Sequence, residues 1–162
     1  MSERPDRFSA DDIASSEEFT WQHPKNPKSR LRGVSLSQHC GLERIGLHRI
    51  RLEPGAEANE YHAHHFEEEF YFVLEGRGVM LVDGEEVEVG PGGFFGFRAP
   101  SVPHLMTNPF EDDLVYLVGG ERKAFEIADF PRLGQTMIRD RGQAWIVDNE
   151  SLQPFWKSRS KD

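Results

Sequence analysis

The chain lacks several features that would assign it to common classes of protein. Its 162 residues include one cysteine, Cys40, so no intrachain disulfide can form, which suits a reducing compartment. No apolar run is long enough to span a bilayer, and residues 1–12 are polar and lack the apolar core of a signal peptide. We therefore expect a single-domain protein of the cytoplasm with no membrane partner.

Positive charge is also scarce. Nineteen Lys and Arg residues stand against 28 Asp and Glu residues, which gives a formal net charge of −9. An acidic chain repels the phosphate backbone of nucleic acids, and no basic stripe or helix-turn-helix pattern offsets that repulsion. We expect no nucleic-acid partner.

The sequence is rich in short β patterns, which Gly, Pro and Asp residues separate. The strands begin near Leu31, and the segments with strand character include residues 42–52, 69–74, the hairpin 76–89, 94–97 and 114–118. Within the clearest hairpin, Asp83-Gly84 joins two apolar runs and is typical of a type I′ turn. The pattern predicts an all-β barrel or sandwich and excludes alternating β and α units.

The two ends differ from this central region. Residues 1–30 are predicted to form an N-terminal arm, with a short helix after Ser9, where Ser9 and Asp12 have the spacing of a capping box. Residues 31–120 form the predicted barrel. Residues 121–162 mix aromatic and charged side chains, and we expect an irregular C-terminal tail that packs on the barrel or on a partner and ends in a frayed KSRSKD.

Four residues in the barrel region have the chemistry of a metal site. His62 and His64 are spaced i, i+2, so on a strand both imidazoles point to one face. Glu69 opens the next apolar run, and His104 follows a later strand. Three imidazoles and a carboxylate suit a divalent first-row metal. Glu68 remains an alternative ligand, because it also belongs to the acidic run before the strand.

Two groups of residues resemble the two sequence motifs of the cupin superfamily. The first group is Gly55, His62-Ala63-His64, Glu69 and Gly76; the second is Gly90-Pro91-Gly92-Gly93, Pro103-His104 and Asn108. The resemblance covers about residues 41–119. It implies a double-stranded β-helix, or jelly roll. It also implies one divalent ion (Zn, Mn, Fe or Ni) held by His62, His64, Glu69 and His104.

The resemblance extends to small bacterial cupins described as phosphomannose-isomerase-like, which implies aldose–ketose isomerisation of a sugar phosphate. Tyr71, Arg49 and Arg98 are the candidate catalytic residues, because they could supply hydrogen bonds or charge to an anionic small molecule. Asn108 is a further candidate, or it fixes the loop around His104. An iron-dependent oxygenase and a non-catalytic sensor of a small anion remain as alternatives.

The other histidines have no partner at ligand spacing. His65 follows His64 directly, so on a strand its side chain points to the opposite face, and we expect it to support the ligands from outside the cluster or to be exposed. We interpret His23, His39 and His48 as structural.

The strand after Glu69 is apolar on both faces. If Glu69 points inward, Tyr71 and Val73 follow it, while Phe70, Phe72 and Leu74 point outward. An apolar outer face needs a cover, which either a second copy of the chain or the aromatic tail can provide. We expect a homodimer.

Overall fold

The structure, a computed structural model, describes residues 7–156, and the KSRSKD end that we expected to fray lies outside them. Most of the described chain is strand. The strands are β1 (Phe19–Trp21), β2 (Leu31–Ser35), β3 (Ile45–Leu52), β4 (Ala63–His64), β5 (Glu69–Glu75), β6 (Gly78–Val82), β7 (Glu85–Val89), β8 (Phe94–Phe97), β9 (His104–Thr107), β10 (Leu114–Glu121), β11 (Phe125–Phe130), β12 (Gln135–Asp140) and β13 (Gln143–Asp148). The helices are α1 (Ala10–Ser15), α2 (Leu36–His39) and a 3₁₀ turn at Asn149–Ser151.

The strands form three antiparallel sheets around one apolar core. The sheets have the orders β1-β2-β3-β10-β5-β8, β13-β12-β11-β4 and β7-β6-β9. Ile50 and Val73 of the six-stranded sheet join Met80 and Met106 of the three-stranded sheet in the core, and none is more than 2% exposed. The architecture is that of an all-β jelly roll, as predicted. Within the described residues, no helix is long and apolar enough to cross a membrane.

Two local predictions are confirmed. On β5, Tyr71 and Val73 are buried at 4% and 0% exposure, whereas Phe72 on the opposite face is 37% exposed. At the turn between β6 and β7, Asp83 and Gly84 both have positive φ, 49° and 84°, as a type I′ hairpin requires.

The N-terminal segment contributes more than an arm. The Ser9 side chain accepts a hydrogen bond from the Asp12 amide and the Asp12 carboxylate accepts one from the Ser9 amide, so the expected capping box caps α1. Strand β1 then pairs with β2, with Phe19 opposite Gly33. The segment before residue 31 therefore supplies an edge strand to the six-stranded sheet.

The expectation of an irregular C-terminal tail was wrong. Residues 125–148 form β11, β12 and β13, and β11 pairs with β4 so that Ala128 lies opposite His64. The many charged residues of these strands hid the β pattern in the sequence. In the structure some of them are paired with other charged side chains. Arg139, for example, pairs with the buried Glu67. The segment thus packs on the barrel, as expected, but as strands that adjoin the histidine cluster.

Candidate metal centre

The backbone brings the four predicted ligands together from separate parts of the chain. His62 and His104 form an antiparallel bridge in which each amide donates to the other carbonyl, at 3.2 and 2.8 Å. His64 follows on β4. Its amide donates to Ser101 Oγ and its carbonyl accepts from the Ser101 amide, both at 2.8 Å. Glu69 enters from the start of β5. The segment before His104 therefore fixes His64 as well as His104.

The ligand atoms converge on one point. Nε2 of His62 lies 3.2 Å from Nε2 of His64, and Oε2 of Glu69 lies 2.9, 3.6 and 3.9 Å from Nε2 of His104, His64 and His62. Two ligands at right angles around an ion with bonds of about 2.1 Å are about 3.0 Å apart. The observed separations therefore fit a single first-row ion, and this cluster could hold one.

The histidine tautomers fit the same conclusion. Nδ1 of His62 donates to the Glu60 carbonyl at 2.8 Å, and Nδ1 of His104 donates to the Val102 carbonyl at 3.0 Å. In a neutral imidazole the other nitrogen, Nε2, then carries the lone pair. Nε2 of His104 lies 2.9 Å from Oε2 of Glu69, so either a proton on Nε2 or a cation bound between the two atoms must join them. The protein thus presents lone pairs and a carboxylate to a common point.

The third histidine has a different support, which the sequence did not reveal. Nδ1 of His64 is buried and has no hydrogen-bond partner among the described residues, and Oε1 of Glu126 lies 3.9 Å from it. Glu126, on β11, is fully buried and accepts hydrogen bonds from the amides of His65 and Phe66 at 2.9 and 3.3 Å. At 3.9 Å the carboxylate forms no hydrogen bond to the ring, and it acts on the imidazole through its buried negative charge.

Burial and the cluster's own charges set its electrostatics. Burial lowers the pKa of His62 to about 3. Burial alone would raise the pKa of Glu69, but the adjacent His104 and His64 outweigh it and hold that pKa well below its usual range. Burial also lowers the pKa of His64, but Glu69 outweighs it and the net shift is upward. The carboxylate is therefore charged across the physiological range.

The packing leaves one side of the cluster open. His104 is fully buried beneath Phe97, whose ring stacks on the imidazole at a centroid separation of 3.7 Å and an angle of 8°. His62 is also buried, whereas the His64 and Glu69 side chains are 15% and 20% exposed. The accessible side therefore lies at Glu69.

Three cavities meet at Glu69. One of about 420 Å³ extends past Phe94 to Arg98. Another, of about 260 Å³, is lined by Tyr71, Tyr116 and His48. A third, of about 180 Å³, runs from Glu69 to Arg122 and also contacts His48.

The three candidate catalytic residues lie in different surroundings. The Tyr71 hydroxyl donates a hydrogen bond to Oε2 of Glu69 at 3.0 Å. Arg98 is exposed and lines the cavity of about 420 Å³. Arg49 lies on the outer face of β3, opposite in parity to the buried Ile50, and reaches Glu75 at 4.0 Å. The prediction that Arg49 faces the site was wrong, because strand alternation directs its side chain away from the barrel interior.

Glu68, Asn108 and the other histidines also have clear positions. Glu68 is exposed, and its amide donates to the Glu121 carboxylate. Strand alternation therefore turns Glu69, and not Glu68, towards the histidines, as expected. The Asn108 side chain donates to the carbonyls of Leu52 and Asp112, both at 2.8 Å, and so fixes its loop.

The other histidines lie outside the cluster. His23 packs on Phe130 and His39 on Phe8, as structural residues, and His65 bonds to Asp129. His48, interpreted as structural, lines two of the cavities.

Comparison with known proteins supports the fold and identifies the family. The model of the cupin domain matches residues 48–120. A candidate sugar phosphate isomerase from Acidithiobacillus ferrooxidans superposes with a TM-score of 0.90 at 31% identity, covering 94% of this chain and 97% of that one. The chain belongs to the cupin family. A sugar phosphate isomerase from Silicibacter pomeroyi, of the cupin superfamily, shares the fold at 24% identity, with a TM-score of 0.79 and coverage of 91% and 96%.

One curated relative matches a shorter segment. An uncharacterised protein of Methanocaldococcus jannaschii is 43% identical over 47 residues, which are 29% of this cupin and 37% of that protein. That match thus spans little more than a third of the relative.

Proposed function

We propose that this cupin is a metal-dependent isomerase that interconverts the aldose and ketose forms of a small phosphorylated sugar. The observation that carries the proposal is the convergence of His62, His64, Glu69 and His104 at the end of cavities that contain further buried polar groups. The likeness over nearly the whole chain to a candidate sugar phosphate isomerase supports it.

Aldose–ketose isomerisation moves a proton from C2 to C1 of the sugar and another from the C2 hydroxyl to the carbonyl oxygen on C1. The site must therefore polarise the carbonyl, provide a base for the carbon-bound proton and donate to the developing hydroxyl. A divalent cation held by the three histidines and Glu69 supplies the polarisation when it is bound. Zn, Mn, Fe and Ni all suit this nitrogen and oxygen ligand set.

We assign the base to His48. Burial, with a smaller contribution from Arg122, lowers the pKa of His48, so the imidazole is neutral at pH 7 and can accept a proton. Its Nδ1 is buried and has no hydrogen-bond partner among the described residues. His48 lines two cavities that also contact Glu69, and this position supports proton transfer beside the carboxylate.

Tyr71 and Tyr116 supply hydroxyl groups to the same cavity. Burial raises the pKa of both phenols, so each keeps its proton. Tyr71 donates its proton to Glu69 and can accept a hydrogen bond from a sugar hydroxyl, whereas Tyr116 can donate to a sugar oxygen. Oη of Tyr116 is buried and unpaired among the described residues, which leaves it available to a ligand. Phe19 and Trp21 add aromatic surface to the lining of this cavity.

The test is isomerisation in deuterated water. Protein loaded separately with Mn, Zn, Fe(II) or Ni is incubated with mannose 6-phosphate and related sugar phosphates. Proton NMR then follows both deuterium incorporation at C2 and product formation. We expect both with at least one metal, their loss in Glu69→Gln and a large decrease in His48→Asn. Glu68→Gln is the matched control and should behave as wild type.

No exchange with any metal would overturn the proposal. Oxygen consumption by the iron form without exchange would indicate an oxygenase instead. Tight binding of a small anion without any turnover would indicate a sensor.

A further inference from the structure

The third cavity has one cationic side chain at the end away from Glu69. This cavity, of about 180 Å³, begins at Glu69 and ends at Arg122, just beyond the end of β10. A water molecule occupies about 30 Å³ in the liquid, so the cavity has room for roughly six waters, or for a phosphoryl group and a short carbon segment.

Two glycines line this cavity. Gly46, Gly120 and Glu69 lie in register across β3, β10 and β5, so two of the three inward positions at this end of the sheet carry no side chain. A Cβ added to Gly120 would lie 2.6 Å from the Glu68 carbonyl oxygen, and one added to Gly46 would lie 3.1 Å from Nε of Arg122, so neighbouring backbone and the Arg122 guanidinium already pack against these positions. The absence of a side chain at Gly46 thus lets the Arg122 side chain lie close against β3, where it lines the cavity.

Arg122 is held in place without an acidic partner. Its amide donates to the Arg44 carbonyl at 2.9 Å, its guanidinium lies against Gly46, and Nη2 lies 3.5 Å from Ser37 Oγ. No carboxylate of the described residues lies within ion-pair distance of this guanidinium. The one acidic residue that lines the same part of the cavity, Glu121, pairs instead with Lys123 at 2.9 Å.

Several arginines of the described residues have no ion pair, whereas others, such as Arg49, Arg51 and Arg139, each lie within 4.0 Å of a carboxylate. Arg122 belongs to the first group and lines a cavity that also contacts Glu69. An arginine presents a planar set of N–H donors that matches two oxygens of a phosphate. His48 lines the same cavity, so the proposed base and the guanidinium share one space.

We propose that Arg122 forms an anion subsite that binds the phosphate of the substrate at the end of the cavity away from the metal ligands, while His48 keeps its role as the base. This inference rests on the proposed function, and it narrows the substrate to a sugar whose phosphate is separated from the carbonyl by the span from Glu69 on β5 to Arg122. It assigns to Arg122 the anion-binding role that the sequence suggested for Arg49.

The experiment measures the binding of inorganic phosphate by calorimetry, on the full chain loaded with Zn and on the same protein stripped by a chelator. The variants are Arg122→Gln, Arg122→Lys and Arg141→Gln. Arg141, at the turn between β12 and β13, is the control, because its substitution changes the net charge equally on a side chain that is exposed and does not line the cavity.

We expect wild type and Arg141→Gln to bind phosphate in both forms, Arg122→Gln to bind at least about tenfold more weakly, and Arg122→Lys to lie between them. Mannose 6-phosphate should bind more tightly than mannose, and the difference should shrink in Arg122→Gln. Retained folding of the variants is checked by circular dichroism, and Arg122→Lys keeps the test valid if Arg122→Gln unfolds.

Three outcomes would overturn the inference. They are the absence of phosphate binding in wild type, equal binding by Arg122→Gln and wild type, and binding that is lost on stripping the metal but insensitive to Arg122. The last would place the phosphate at the metal. These outcomes differ from a failure of the proposed function. If only the proposed function fails, deuterium exchange is absent but phosphate binding still depends on Arg122.

Discussion

The substitution of Glu69 by glutamine tests the metal centre most directly. Its Oε2 is the only charged ligand atom in the cluster and lies 2.9 to 3.9 Å from the three imidazole nitrogens. Glutamine preserves the shape of the side chain and can still accept the hydrogen bond from Tyr71. The substitution therefore removes the negative charge with little change in packing.

The expected loss is large. Removing a group that merely supports a ligand costs about 10-fold to 100-fold in metal affinity. Removing the charge of a ligand itself should cost at least about 100-fold, equivalent to about 2.7 kcal/mol. The control is Glu68→Gln, which makes the same charge change one residue away, on a side chain that is exposed. We expect its affinity to stay within about twofold of wild type.

Competition with a metal-binding dye at pH 7.5 measures both affinities, and near-ultraviolet circular dichroism confirms that the variants stay folded. Equal losses in both variants would show that the overall charge, and not ligation, governs binding. A larger loss in Glu68→Gln would place β5 out of register by one residue. No loss in Glu69→Gln would remove Glu69 from the ligand set.

Three further predictions concern the support of the cluster, its protonation and its assembly. Glu126→Gln should weaken metal binding by about tenfold, because His64 loses its neighbouring charge. Glu126→Ala should also lower the free energy of unfolding by about 1–3 kcal/mol, since two amides lose their acceptor; unchanged dye competition in Glu126→Gln would contradict the effect of this charge on the site. Metal affinity should fall as the pH drops from about 7 to about 5, because protonation removes the lone pair of a ligand imidazole. The raised pKa of His64 makes it compete for protons over this range, while His62, with a pKa of about 3, stays neutral, so His64 should contribute about tenfold per pH unit to the fall and His62 nothing; a flat dye-competition profile would contradict this. The protein should be a homodimer, because Phe72 and Phe94 are 37% and 62% exposed on the outer face of the six-stranded sheet; light scattering that gives the 18.6 kDa of one chain would contradict this.

The sequence alone determined the local features of this cupin. A strand repeats every two residues, so the spacing of His62 and His64, and the alternation from Glu69 along β5, defined which side chains share a face. Asp83-Gly84 specified its hairpin because few residue pairs tolerate two successive positive φ angles. These rules depend on neighbours in the chain, and each of these predictions agrees with the structure.

Tertiary structure decided the surroundings of the cluster. Glu126 supports His64 only because β11 returns to pair with β4, some sixty residues later in the chain, and no local pattern marks that pairing. Arg122 and His48 line one cavity because β10 and β3 pair along their length, which brings the end of β10 beside Gly46 and His48. Which arginine faces the site thus depends on which strands become neighbours and in what register, because pairing between distant segments, and not their own composition, sets the direction of each side chain.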